Sequence, residues 1–317
     1  MLGRVPVMFA IVKGLLPRLA RREPLSQGAT LDRTVLYRQH SEMLKDIAFQ
    51  PAASGWRRMG GGGGPVGWFN KRPEGLAISL AYYPPGHEQE LHYHDQAQLT
   101  FQLVGMLEES ISRRNYEALG SAIGFKPAGS PHKDRWGAAG AMLLTLSMPQ
   151  ELADRLLGAQ EPGWTPNSLP PATVQTIGLL FAAQPAEFQN ETVIDLLALA
   201  RRREGIAAPQ QAPQWLARVR DAIAGDPAGC KIEHIAEAAG IHRVYLARQF
   251  RRYFGTSPSL FRRSMMTASL INHMSNRDLP LSLSAQDAGF YDQSHAARSL
   301  RGELGINLSQ ARALFRC

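Results

Sequence analysis

Ile235-Ala236-Glu237-Ala238-Ala239-Gly240-Ile241-His242-Arg243-Val244-Tyr245-Leu246-Ala247-Arg248-Gln249-Phe250-Arg251 is the stretch that decides the fold. Ala236 is small enough to let two helices approach. Gly240 can take the left-handed conformation that ends a helix. A second helix then starts near Arg243 and crosses the first steeply, which is a helix-turn-helix. Its packed face is expected to be Leu246, Gln249 and Phe250, and its outward face Val244, Ala247, Arg248 and Arg251.

Working outward, the unit occurs twice. Ala236 and Gly240 return as Ala285 and Gly289, and Arg248, Phe250, Arg251 and Gly255 return as Arg298, Leu300, Arg301 and Gly305. The second turn, Gly289-Phe290-Tyr291-Asp292, is one residue longer. Between the units a helix is expected from Pro258 to about Ser275, with Ser257 as N-cap and Pro258 at the first helical position. Its core stripe would be Phe261, Met265, Ala268 and Ile271.

The region Trp215–Phe315 resembles the AraC/XylS type of DNA-binding domain. The resemblance rests on Ile235-Ala236-x3-Gly240, Tyr245–Arg251, Gly255-Thr-Ser-Pro258 and Ala288–His295. It implies two helix-turn-helix units joined by a long helix, and double-stranded DNA as partner. Ser284, Ala296, Leu300 and Met266 depart from the family pattern. Ala296 and Leu300 stand where phenylalanine is usual, so the second unit is expected to have a thinner core. By the same resemblance Arg248 and Arg298 face the groove, where arginine can grip guanine O6 and N7 together. Arg243, Gln293, Ser294 and His295 are the next candidates. Arg251, Arg252, Arg262, Arg263 and Arg301 suit phosphate contact or solvation.

Charge agrees with this placement. The 317-residue chain has a net charge of +8, and residues 213–317 hold 14 Lys/Arg against 8 Asp/Glu. Arginine and lysine concentrated in one segment suit a polyanion. Only Cys230 and Cys317 are present, which excludes a disulfide scaffold or a cysteine-based zinc module and suits a reducing cytoplasm. No stretch reaches the roughly 18 apolar residues that span a bilayer, and Lys13, Pro6, Pro17 and Arg18 interrupt Met1–Ala20, so no membrane partner and no signal sequence are expected.

Upstream, two breaks divide the chain: Gly60–Pro65 and Ala207–Pro213. Val66–Asn70, Gly75–Tyr83, Ala97–Val104, Met106–Ser112, Ser121–Lys126 and Ala141–Met148 read as strands bounded by turn residues. Thr173–Ala183 and Thr192–Arg203 read as amphipathic helices that pair with each other or meet a second subunit. The expected order is an extension over 1–59 with a helical stretch Thr34–Asp46, a barrel over 60–150, a helical connector or dimerisation region over 151–206, a linker over 207–213, and the DNA-reading domain over 214–317. The class is therefore α+β: a β-barrel and helical connector followed by an all-α domain with two helix-turn-helix units.

Within the barrel, Gly86, His92, His94, Gln98 and Gly105 follow the spacing G-x5-H-x-H-x3-Q-x6-G. This resembles the first cupin motif with Gln98 in place of the usual glutamate, and Pro127-x-Gly129-x2-His132 approximates the second. The resemblance makes the barrel cupin-like. His92, His94, Gln98 and His132 are the expected effector-pocket residues. The three histidines are the candidates if a metal binds, but Gln98 removes the anionic ligand, so no metal or other cofactor is expected. Glu90 and Asp134 could pair with the histidines, though no spacing rule requires it, and Trp68, Tyr82, Phe101, Phe125 and Trp136 could line a pocket.

Two function classes stand. One is a non-enzymatic, cytoplasmic transcription factor governed by a small-molecule effector, with a homodimer compatible. The other is a cupin-type metal enzyme carrying a DNA-binding tail. The absence of the carboxylate that Gln98 replaces favours the first. In it, the two recognition helices are expected to enter successive major-groove segments about 34 Å apart.

Overall fold

The computed structural model describes residues 56–60, 64–72, 75–166, 169, 174, 177, 180, 186–201, 211–275 and 279–314. The described residues belong to one compact unit, 46–317. The expected helical stretch Thr34–Asp46, most of Thr173–Ala183 and residues 207–210 of the linker lie outside them.

Nine antiparallel strands form the barrel: β1 (Arg57–Gly60), β2 (Val66–Lys71), β3 (Ala77–Tyr83), β4 (Glu88–His92), β5 (Ala97–Ile111), β6 (Arg114–Leu119), β7 (Ala122–Lys126), β8 (His132–Met148) and β9 (Gly163–Pro166). Their order is β1-β2-β3-β8-β5-β7-β9, with β4 on β8 and β6 on β5. β5 and β8 are long enough to serve both ends. Their N- and C-terminal parts pair as Gln98–Ser147 and as Ile111–His132. Between these, register shifts fall at Gln102/Val104 and Gly105/Leu107, and each such bulge bends a strand.

The expected pair Ala97–Val104 and Met106–Ser112 is therefore one strand. Gly105 reads as a turn but is a bulge: its φ is +93°, and a Cβ there would lie 2.1 Å from the Gly140 carbonyl oxygen. The sheet also runs beyond the span expected for the barrel. β1 precedes the glycine run, which lies between β1 and β2, and β9 falls after residue 150.

After α1 (Gln150–Leu157) and α2 (Ala186–Arg201), the helices are α3 (Gln214–Gly225), α4 (Ile232–Ala238), α5 (Arg243–Phe254), α6 (Pro258–Ser275), α7 (Leu281–Asp287), α8 (Gln293–Leu304) and α9 (Leu308–Ala313). The duplication read from sequence recurs in hydrogen bonds. Ile241 N–H donates to the Ala236 carbonyl, and Phe290 N–H to that of Ala285. Gly255 and Gly305 end α5 and α8 in the left-handed region, at φ 71° and 70°. Ser257 Oγ accepts from Leu260 N at 3.3 Å, as an N-cap does. Phe261, Met265, Ala268 and Ile271 are all fully buried.

The core of the second unit carries hydrogen-bonded hydroxyls. Ser284 is buried and donates to the Pro280 carbonyl. Ser299 and Thr267 share a 3.0 Å hydrogen bond, and Phe290 is buried with its ring edge-on to His295.

The barrel and the helices share one core. α6 packs on β5 and β8. Gly105 N donates to Ser264 Oγ at 3.0 Å, and Trp68 Nε1 to the Leu314 carbonyl at 3.1 Å. Arg220 of α3 pairs with Glu117 of β6 and lies over the Phe254 ring.

Candidate DNA-reading surface and barrel interior

Each recognition helix is started by a side chain. His242 accepts from Val244 N before α5, and Asp292 accepts from His295 N before α8. These caps place Arg243 and Val244, and Gln293 and Ser294, on the exposed first turns. Arg248, Arg251, Arg298 and Arg301 are exposed, while Ala247 and His295 are half-buried. No ion pair to Arg248 or Arg298 is present among the described residues, so neither guanidinium is committed to a carboxylate such as Glu237.

Arg248 is nonetheless held. Its guanidinium lies 5.4 Å from the Tyr245 ring centroid, and that ring stacks on Trp215 of α3 at 6.2 Å. A cation over an aromatic face is attracted by the ring quadrupole, which restricts its orientation. Sequence reading missed Tyr245 and Trp215 as supports; the four-residue periodicity places Tyr245 near Arg248 only roughly, and Trp215 is distant in sequence. Arg262 and Arg263 differ from the rest. Arg262 donates to the Ala228 carbonyl and Arg263 pairs with Glu303 at 3.2 Å, so both are engaged within the protein.

Inside the barrel, β4 and β8 bring His92 opposite His132, and His94 follows β4. Ring centroids are 4.1 Å apart for His92 and His132, 5.0 Å for His92 and His94, and 5.1 Å for His94 and His132. Ligand atoms of the three fall within 4.8 Å of one another. Gln98 stands on β5 opposite Lys126 and Ser147.

Two hydrogen bonds set the imidazole tautomers. His92 Nδ1 meets the Glu90 carbonyl at 2.7 Å, and His132 Nδ1 meets the Ser130 carbonyl at 2.9 Å. A carbonyl only accepts, so each Nδ1 carries the proton of the neutral ring and each Nε2 presents its lone pair. Burial, reinforced by Lys126, lowers His94 and His132 to about 4.

The carboxylates near them are Glu109 and Asp134, register partners on β5 and β8. Glu109 is 2 % exposed, pairs with Lys126 at 2.5 Å and accepts from Trp164 Nε1. Burial opposes its ionisation, but Lys126, Asp134 and Trp164 together hold it below the usual carboxylate range. Burial first and Glu109 second push Asp134 up to about 8. His132 Nε2 lies 3.9 Å from Asp134 Oδ2. Sequence reading singled out Asp134 but not Glu109 or Lys126, whose pairing crosses strands. Glu90 is not part of the group: its carboxylate meets Lys133 on the surface.

Of the expected pocket aromatics, only Trp136 lies with this interior, stacked on Tyr83 at 4.1 Å. Trp68, Tyr82, Phe101 and Phe125 belong to the core shared with the helices. Alternation explains the division, because they occupy the opposite face of their strands.

Residues 235–313 match the model of a helix-turn-helix domain. No curated protein matches the chain. Among solved structures, an apo ToxT variant from Vibrio cholerae is similar at 8% identity, covering 78% of this chain and 100% of its own, with a TM-score of 0.34. An RmlC-like cupin from Shewanella frigidimarina is similar at 17% identity, covering 30% and 84%, with a TM-score of 0.28. The C-terminal domain of AraT, a response regulator from Geobacillus stearothermophilus, is similar at 19% identity, covering 33% and 88%, with a TM-score of 0.31.

Proposed function

We infer that this chain, which carries an AraC-type helix-turn-helix domain at its C-terminus, is a DNA-binding transcription regulator governed by a small ligand in its cupin-like barrel. The observation that carries the reading is the duplicated unit itself. Two capped helices, α5 and α8, present exposed arginines at matching positions, Arg248 and Arg298, and neither is in an ion pair among the described residues. Val244, Ala247 and Gln293 accompany them at the groove, and Arg251 and Arg301 serve the phosphates. The role requires no catalysed reaction. Among the described residues no helix is long and apolar enough to cross a membrane; a role on chromosomal DNA supports reading the chain as cytoplasmic. Two copies would read a repeated site.

The barrel supports a sensor role because His92, His94 and His132 converge with lone pairs available, next to buried charge at Glu109, Lys126 and Asp134. An effector acts by binding one arrangement of the chain better than another. The donor set also fits a borderline metal ion, for which neutral imidazoles are good ligands. Such an ion would supply a fixed positive charge around which an effector could be oriented.

The full chain should bind duplex DNA with an affinity that falls steeply from low to moderate salt, because phosphate contacts release counterions. Arg248→Ala should cost about 1–3 kcal/mol at the preferred site and relax preference at one or two base pairs. Fluorescence anisotropy on a panel of single-base variants measures both. Unchanged base preference would reduce Arg248 to a backbone contact.

A further inference from the structure

His132 Nε2 and Asp134 Oδ1 are buried, at 1 % and 4 % residue exposure, and neither has a hydrogen-bond partner among the described residues. The ring nitrogen can only accept, since Nδ1 holds the proton. A buried acceptor left without a partner is costly unless a donor or a cation reaches it. Glu109 completes the group: its carboxylate, the His132 ring and the Asp134 carboxylate offer ligand atoms all within 4.8 Å of one another. Its oxygens already accept from Lys126 and Trp164, and a carboxylate has about four lone-pair sites, so capacity remains. Glu109 and Asp134 also border a cleft of about 460 Å³ on the outer side of these strands.

We propose that the barrel holds a divalent transition-metal ion on His132 Nε2 and the carboxylates of Asp134 and Glu109, so that these two strands supply the negative charge that Gln98 lacks. The proposal rests on the barrel being a ligand site, and is independent of the DNA-reading surface. It reverses the expectation drawn from residue 98 alone. The Glu109 charge is matched by Lys126, so Asp134 provides the charge that opposes the ion. The Ser130 carbonyl holds the His132 ring in the tautomer that a metal needs, as outer hydrogen bonds do for ligating histidines.

The test uses the full chain, stripped with chelator and titrated with Zn²⁺ by calorimetry and with Co²⁺ by visible absorption. One ion per chain is expected. Asp134→Asn should weaken binding by tenfold or more and change the Co²⁺ spectrum; His132→Ala should abolish binding; Glu90→Gln should leave affinity within twofold. An unmodified chain that takes no ion overturns the proposal. So does Asp134→Asn binding like the parent while His92→Ala or His94→Ala abolishes binding, because the ion then sits on imidazoles alone. Should the variants not fold, crystals of the unmodified protein grown with Co²⁺ decide: an anomalous peak bonded to the Asp134 carboxylate supports the site, and one bonded only to imidazoles sinks it. DNA binding measured in parallel separates the two readings, since salt-sensitive binding without any metal leaves the regulator intact and removes only this site.

Discussion

Asp134 and the histidines beside it pull the stability of the metal-free chain in opposite directions with pH. In the folded chain Asp134 keeps its proton up to about 8, whereas in the unfolded chain it loses it near the ordinary value of about 3.9. Between those values the folded state binds more protons, so this group makes stability fall as pH rises. His94 and His132 titrate at about 4 when folded and at about 6.5 when unfolded. Across that window the unfolded state binds more protons, so stability rises with pH. Asn mimics the protonated Asp134, including its donation toward Glu109. Asp134→Asn should therefore remove the falling limb and leave a chain that gains stability to about pH 6.5 and then levels off. Urea midpoints from pH 5 to 9 in chelator measure this. A variant that declines above pH 7 as the parent does would mean that Asp134 ionises normally. At this scale the sequence was an uneven guide. The H-x-H spacing found the imidazoles because alternation puts His92 and His94 on one side. Nothing local pairs Glu109 with Lys126: Lys126 stands opposite Gln98, and only the tertiary fold of the long β5 brings it to Glu109.

At the scale of elements, helix ends were more legible than strand ends. Gly240, Gly255, Ser257 and Pro258 carry backbone meaning by themselves, and each stands where its chemistry places it. The strands were shorter in the reading than in the molecule. β6 and β9 carry weak alternation and owe their pairing to β5 and β7. β8 starts at His132, well before the apolar run at Ala141 that marks it in sequence. Two glycines separate local strain from packing. Gly240 and Gly255 both have positive φ, at 64° and 71°. A Cβ on Gly240 meets nothing within 4 Å, whereas one on Gly255 would lie 2.1 Å from Pro166 Cβ of β9. Gly240→Ala should cost about 1–2 kcal/mol, the left-handed penalty alone. Gly255→Ala should cost more, by thermal or urea unfolding, and Pro166→Gly in the same chain should recover the excess. Equal costs at both positions would show that α5 does not rest on β9.

The whole molecule departs from two beads on a string. Residues 213–317 have the composition of a separate domain, and sequence reading treated them so. The structure instead places α6 against β5 and β8, with Ser264 fully inside that junction. Sequence could not show this, because the buried faces of α6 serve both its own helices and the barrel. A fragment over 213–317 should still bind duplex DNA in a salt-sensitive way. It should melt below the intact chain, since cutting uncovers the barrel-facing side of α6. Thermal unfolding of fragment and full chain tests this, and equal melting temperatures would contradict the shared core.

Ser264 gives the junction a further meaning for anyone exchanging parts between regulators. The buried Gly105 amide takes its partner from the other half of the chain. A chimera that joins this barrel to a foreign DNA reader through the linker alone inherits an amide with no acceptor, unless the incoming joining helix carries a hydroxyl at the same place. Such grafts should succeed or fail by one side chain on a helix, far from both the splice point and the bases that are read.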